Sequence, residues 1–387
     1  MRVLVAGHTY LRRFNQRKWE AFADLSPRHV ALLVVPNGWR DPHFGPVCPE
    51  PSSHPRVRVR VTRALFHGHG TLTVHVDPRL AWVARRFRPD IVLVEQEPRS
   101  LLALQGRWLA QVLPGRPPFT FFTWGGGPTR RRPLPLRVLE RGTLSAARVA
   151  FAGNHAAGEQ LRAAGFGSAI HRIPQVGVDL PDRPGLTRRQ VRRELGVSGA
   201  VVGFAGRLIA EKGVLDLAEA LSGLGCLGWT FLAIGRGPLR HALELRLGAA
   251  SLAGRLRFIE DADHHRVCDL LAALDVLVLP SFTTVNWAEQ FGHVLIEAMA
   301  ARCAVVGTNS GEIPHVIGDA GIVVPERDIR QLRAALRRLI DGPDLRARLG
   351  ASGRARVRRH FTHAVVARRL AECLEGVRTR RATRHDS

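Results

Sequence analysis

Short apolar runs alternate with longer amphipathic stretches along the whole 387-residue chain. Val3–Ala6, Val30–Val35, Asp90–Val94, Thr120–Thr123 and Arg148–Ala152 are rich in Val, Leu, Phe and Ala, which predicts strands covered on both faces. Between them, Gln16–Leu25, Leu80–Arg86, Leu101–Val112 and Ala156–Gly165 read as helices. The pattern restarts after the polar, proline-bearing stretch Pro181–Arg188. Strands are then expected at Val201–Ala205, Thr230–Ile234, Arg257–Ile259, Val276–Leu279, Ala304–Val306 and Gly321–Val323, with helices such as Val214–Leu221, Arg266–Leu274 and Val294–Ala301. This βα alternation predicts an α/β protein of two tandem Rossmann-like domains, 1–180 and 181–360. A last segment, 361–387, holds one more helix, Thr362–Val377, and a basic tail, Arg378–Ser387, expected to be disordered.

Composition narrows the class. Hydrophobic residues at 45% and charged residues at 23% are ordinary globular values, which excludes a disordered, collagen-like or coiled-coil chain. Five widely spaced cysteines without a C-x-x-C pair argue against a disulfide framework and a structural zinc site, and suit a reducing cytoplasm. No apolar run is long enough for a signal peptide or a membrane span, so a cytoplasmic protein, at most peripheral at the inner membrane face, is expected. The basic side chains are 55 arginines and only two lysines, Lys18 and Lys212, a bias that genomic base composition explains as readily as selection for charge. The excess is nevertheless uneven: +15 over residues 1–180, +6 over 181–360 and +3 beyond. Such a field favours an anionic partner.

Two irregular stretches stand out. Pro36–Pro55 is a long proline-rich loop, disordered or functional. Trp124–Thr129 followed by Arg130–Leu136 joins a glycine turn, a cationic cluster and apolar residues, a mixture that suits a membrane surface. His67, His69 and His75 have no acidic or cysteine ligands nearby, and Thr71–Val76 alternates like a strand, so no metal is expected there. His264 and His265 read as loop residues.

In an open α/β sheet, ligands bind beyond the carboxyl ends of the strands, which directs attention to the residues after each strand. Gly206-Arg207 and Lys212-Gly213 place two cations between a strand end and a helix start, where they can neutralise a diphosphate. Gly235-Arg236-Gly237 is a turn that permits close backbone approach. Glu289-Gln290-Phe291-Gly292-His293 runs into a helix bearing Glu297. Carboxylates on either side of a helix start, whose free N–H groups favour phosphate, can accept hydroxyls from two sugar rings.

Gly203–Leu208, Glu211-Lys212-Gly213, the spacing of Glu289 and Glu297, and Gly311-Glu312-Ile313-Pro314 together resemble family 4 of the retaining, nucleotide-sugar-dependent glycosyltransferases, which have the GT-B fold. The resemblance is dense over residues 201–328. It implies an acceptor domain, a donor domain, a cleft between them and a last helix crossing back to the first domain. Carried over by position, Arg207 and Lys212 contact the donor diphosphate, Glu289 holds the transferred sugar and Glu297 the ribose. Backbone near Phe291, Gly292 and His293 cradles phosphate, with Glu260 near the base and Gly7 near the donor phosphate. It implies transfer with retention to a saccharide or lipid-linked acceptor, in polysaccharide or glycolipid synthesis, with a nucleoside-diphosphate sugar as donor substrate and no metal or other cofactor. Departures are Gln290, where the family often has glycine, Arg302-Cys303, and a first turn, Gly7-His8-Thr9-Tyr10, without a double glycine. Gln96 stands near a position where some relatives carry histidine, and amides are not bases; Glu95 or Glu97 is then the candidate for acceptor deprotonation. A sugar-nucleotide epimerase of the same fold, a non-catalytic sugar-nucleotide binder and a nucleic-acid binder are the competing readings. A phosphorylase would need a lysine for its cofactor beyond Lys212, and Lys18 lies in the first helix. Specific nucleic-acid binding has only the net charge of +24 behind it.

Overall fold

A computed structural model describes residues 1–41, 45–63, 65, 76–125, 134–181, 188–225, 228–248 and 255–382. The chain forms two compact units, one of Met1–Gly177 with His363–Ser387 and one of Val178–Thr362. Each is built around its own parallel sheet.

Unit 1 contains β1 (Arg2–Ala6), β2 (Val30–Pro36), β3 (Trp39–Asp41), β4 (Gly45–Val47), β5 (Val57–Thr62), β6 (Ile91–Glu95), β7 (Phe119–Thr123), β8 (Val149–Ala152) and β9 (Ala169–Arg172). Seven of these form a sheet in the order β5-β2-β1-β6-β7-β8-β9, every pair parallel. The central strands are apolar because both faces are covered, β6 and β7 being buried at every residue. One face packs on Trp19, Phe22 and the closing helix His363–Ala382, which contributes Val366, Leu370 and Leu374 to the core. The other face packs on helices Leu80–Phe87 and Leu101–Val112.

Unit 2 contains β10 (Ala200–Ala205), β11 (Trp229–Ile234), β12 (Leu256–Ile259), β13 (Val276–Leu279), β14 (Ala304–Thr308) and β15 (Ile322–Val324). They form one sheet, β12-β11-β10-β13-β14-β15, again parallel throughout. Strand order reverses between β10 and β13, and that switch point is where ligands enter such sheets.

The two-sheet α/β architecture and the crossing helix agree with the sequence reading, and three local expectations change. The tail expected from Arg378 continues the last helix to Ala382, and 383–387 lie outside the described residues. Part of the Pro36–Pro55 loop is the antiparallel hairpin β3–β4. Leu134–Leu136 begin a helix, Leu134–Ala146, instead of a loop. The histidines at 67, 69 and 75, most of the expected strand at 71–76 and the cationic stretch 126–133 lie outside the described residues.

Candidate functional site

The residues singled out in unit 2 converge on the carboxyl ends of β10, β11 and β13. Gly206 follows β10 and its N–H donates to Ile234 O at 2.9 Å; Gly235 follows β11 and its N–H donates to Ile259 O at 2.8 Å. The two strand-end turns therefore continue the sheet ladder. Arg207, half-buried, leads into the short helical turn Ala210–Lys212. Gly213 closes that turn at φ 67°, and a Cβ there would stand 1.9 Å from Pro280 O. Only glycine allows this approach, which brings the lysine turn against the end of β13.

The result is an ion pair between Lys212 Nζ and Glu289 Oε2 at 2.6 Å. Ser281 Oγ donates to the same oxygen at 2.9 Å, and Lys212 lies 5.1 Å from the Trp287 ring centroid. Among the described residues, Oε1 of Glu289 accepts no hydrogen bond. Gly311 presses on the Glu289 backbone, where a Cβ would meet the carbonyl oxygen at 2.1 Å, and the Glu312 N–H donates to that carbonyl at 3.0 Å. The Gly311–Pro314 motif thus fixes the backbone that carries Glu289.

Gly292, at φ 77°, starts helix His293–Ala300. Phe291 is buried against Phe361. Burial lowers the His293 imidazole to about 4 against the opposing pull of Glu289, so it is neutral at pH 7. Burial alone pushes the Glu297 carboxyl up to about 7. The Glu297 carboxyl makes no hydrogen bond or ion pair with a described residue, while its backbone carbonyl accepts from the Ala301 N–H at 3.1 Å. Glu260 is exposed and paired with Arg240, beside the Arg236–Asp261 pair.

In unit 1 the expected acceptor-side carboxylates have other occupations. Glu95 is buried; its Oε1 accepts from Tyr10 OH at 2.6 Å and Lys18 Nζ at 3.1 Å, and its Oε2 from Gln175 Nε2 at 2.8 Å. Glu97 accepts from Thr123 Oγ1 at 2.7 Å and from Trp124 N–H at 3.2 Å. Both oxygens of each carboxylate are engaged in holding the strand-end loops together. Gln96 is buried, and its Nε2 lies 2.9 Å from His8 Nδ1. His8 stacks on Trp39 of the hairpin at 4.3 Å. The partners of His8 lie 88 and 31 positions away, and its place in the first strand-end turn is the one local signal of them. Gly7 packs under Glu95, with a Cβ position 3.0 Å from its carbonyl oxygen.

Residues 188–356 match the family model "Glycosyl transferases group 1". A 2-deoxystreptamine N-acetyl-D-glucosaminyltransferase from Streptomyces fradiae is 30% identical over 384 residues, 88% of each chain. Among solved structures, sucrose-phosphate synthase from Thermosynechococcus elongatus superposes with a TM-score of 0.73 at 19% identity, covering 97% of this chain and 99% of that one. HepE of Anabaena, solved in complex with UDP and glucose, gives 0.70 at 18% identity, covering 97% and 100%. With its two parallel-sheet units and these relatives, the chain belongs to the group 1 glycosyltransferases, enzymes of the GT-B fold.

Proposed function

We propose that this glycosyltransferase takes its sugar from a nucleoside-diphosphate donor bound in unit 2 and transfers it with retention of anomeric configuration. The observation that carries the reading is the half-satisfied Glu289. Lys212 and Ser281 hold one carboxylate oxygen, and the other accepts nothing from the described residues. That oxygen is available to a hydroxyl of the transferred sugar, while Lys212, with Arg207, meets the diphosphate and the charge that develops on it as the glycosidic bond breaks. The N–H groups at the start of helix His293–Ala300, near Phe291 and Gly292, add to the cradle. Glu297, more than a turn into that helix, accepts the ribose hydroxyls, and Glu260, through Arg240, borders the base. Gly206 and Gly235 floor the site. Attack from the face the leaving phosphate vacates needs no metal in this scheme, because the two cations neutralise the leaving group. The UDP and glucose in the HepE complex agree with a nucleotide-sugar donor.

The acceptor is a hydroxyl of a saccharide, cyclitol or lipid-linked compound bound by unit 1. A hydroxylated ring suits the Streptomyces fradiae relative, whose name specifies 2-deoxystreptamine. On helix Leu134–Ala146, exposed Leu134 and Val138 alternate with exposed Arg137 and Arg141, which supports peripheral contact with an anionic membrane. No helix among the described residues is long and apolar enough to cross one.

The test is thermal stabilisation by a panel of uridine, guanosine and adenosine diphosphate sugars, followed by NMR of the product's anomeric configuration. A selective rise in melting temperature that disappears in Lys212→Ala, with a retained anomer in the product, is expected. Stabilisation that survives Lys212→Ala, or an inverted product, overturns the reading.

A further inference from the structure

None of the donor residues proposed above draws on the positive excess of the first 180 residues, and one feature of unit 1 gives part of that charge a location. β9 is an edge strand of the seven-stranded sheet among the described residues. Beside it lies a cavity of about 310 Å³, walled by Gly158 and Arg162 of helix His155–Ala163, by Arg172 of β9, and by Arg369, Glu372 and Cys373 of the closing helix. Three guanidinium groups thus surround the space with one carboxylate among them.

In a chain with 55 arginines, composition alone puts arginine in many grooves, so the state of these side chains is what matters. Elsewhere arginines near carboxylates pair with them, as Arg188 and Arg192 do with Asp275 and Arg266 with Glu194. Here the side chains of Arg162, Arg172 and Glu372 make no hydrogen bond or ion pair with any described residue. Arg369 is fixed in place, its Nη2 donating to Arg172 O at 2.7 Å on the strand edge. Guanidinium forks match phosphate oxygens in pairs, and Arg162 and Arg172, exposed beside half-buried Arg369, present theirs to an anion arriving from solvent. The volume is at the small end of ligand pockets, about 300–1,000 Å³, and Glu372 adds an acceptor for hydroxyl groups.

We infer that this cavity binds a small phosphate monoester on a hydroxylated carbon skeleton, with Arg162, Arg172 and Arg369 holding the phosphate and Glu372 accepting from the skeleton. The site belongs wholly to unit 1 and takes no part in the donor contacts. A free phosphate ion shares the arginine contacts but not the one to Glu372.

The experiment is calorimetric titration of the full chain with ribose 5-phosphate and, separately, with inorganic phosphate, using wild type, Arg162→Gln/Arg172→Gln and Glu372→Gln. Because those arginine side chains hold nothing else in the fold, the double variant should keep the wild-type melting temperature. Ribose 5-phosphate is expected to bind wild type more tightly than phosphate does, to lose at least about tenfold in the double variant, and to lose part of its advantage over phosphate in Glu372→Gln. Binding should also slow alkylation of Cys373, followed on its peptide by mass spectrometry. Equal affinity of the double variant and wild type, or no binding to wild type, overturns the site. Equal affinity for ribose 5-phosphate and phosphate overturns the hydroxylated skeleton.

Discussion

Each unit uses one of the chain's two lysines to meet a glutamate, and the two pairs have opposite character. Lys18 and Glu95 in unit 1 lie 3.1 Å apart with side chains 3% and 1% exposed. Lys212 and Glu289 in unit 2 lie 2.6 Å apart, but at 15% and 8%. Aromatic rings flank both ammonium groups, Tyr10 and Trp19 at one, Trp287 at the other. The difference is in what remains to be satisfied. Every oxygen of Glu95 is engaged by Tyr10, Lys18 or Gln175, so the first pair is closed. Glu289 keeps an oxygen that no described residue addresses. The first pair is completed by the protein itself, and the second leaves an acceptor unused by any described residue.

The comparison is most exposed at Lys18. Burial lowers the pKa of that ammonium against the opposing pull of Glu95. Lys18→Met would leave Glu95 as an uncompensated buried charge, and a stability loss of about 3–5 kcal/mol is expected in denaturant unfolding. Lys18→Met/Glu95→Gln should recover most of it; equal losses in the two variants would mean the charges are not coupled. Lys212→Ala should reverse the balance, with a melting temperature near wild type and transfer reduced about 10²–10³-fold. If it unfolds as readily as Lys18→Met, the contrast between the pairs fails.

A subtler distinction comes from Glu297. Its folded pKa of about 7 lies above the unfolded value of 4.5, so between those values the folded state binds the extra proton. Stability should therefore fall as pH rises from 4.5 through 7, by on the order of 2 kcal/mol given some access to water. Glu297→Gln should flatten that slope in unfolding titrations at pH 5 and pH 8. The smallest effect concerns Trp287. Trp287→Leu removes one cation–π contact, about 0.5–1 kcal/mol, and should raise the donor KM a few-fold with kcat nearly kept; an unchanged KM would remove the ring from the site.

Legibility in the sequence followed the range of the interactions. The buried strands were readable because both faces are covered and each forms a continuous apolar run, as in Val276–Leu279. β5, Val-Arg-Val-Arg-Val-Thr at a sheet edge, and β9, Ala-Ile-His-Arg at the other, lack such a run and were not identified. In unit 2 the Lys212 and Glu289 motifs were each recognisable locally, and folding brings them into contact. Glu95 stands at a strand end, but its partner Lys18 lies 77 residues earlier, and no local pattern reports that distance.

The helix His363–Ala382 gives the protein a timetable. Unit 2 is one uninterrupted stretch, Val178–Thr362, whereas unit 1 is complete only with His363–Ser387. A ribosome delivers the seven strands of the first sheet early, but Val366, Leu370 and Leu374 of their core arrive last. Leu370 also lines the small space beside Lys18 and Glu95. Unit 1 therefore cannot complete its core until these residues are available, against the usual N-terminal-first order of domain folding. A chain cut after Thr362 would keep every residue of unit 2 and lose one covering layer of the first sheet.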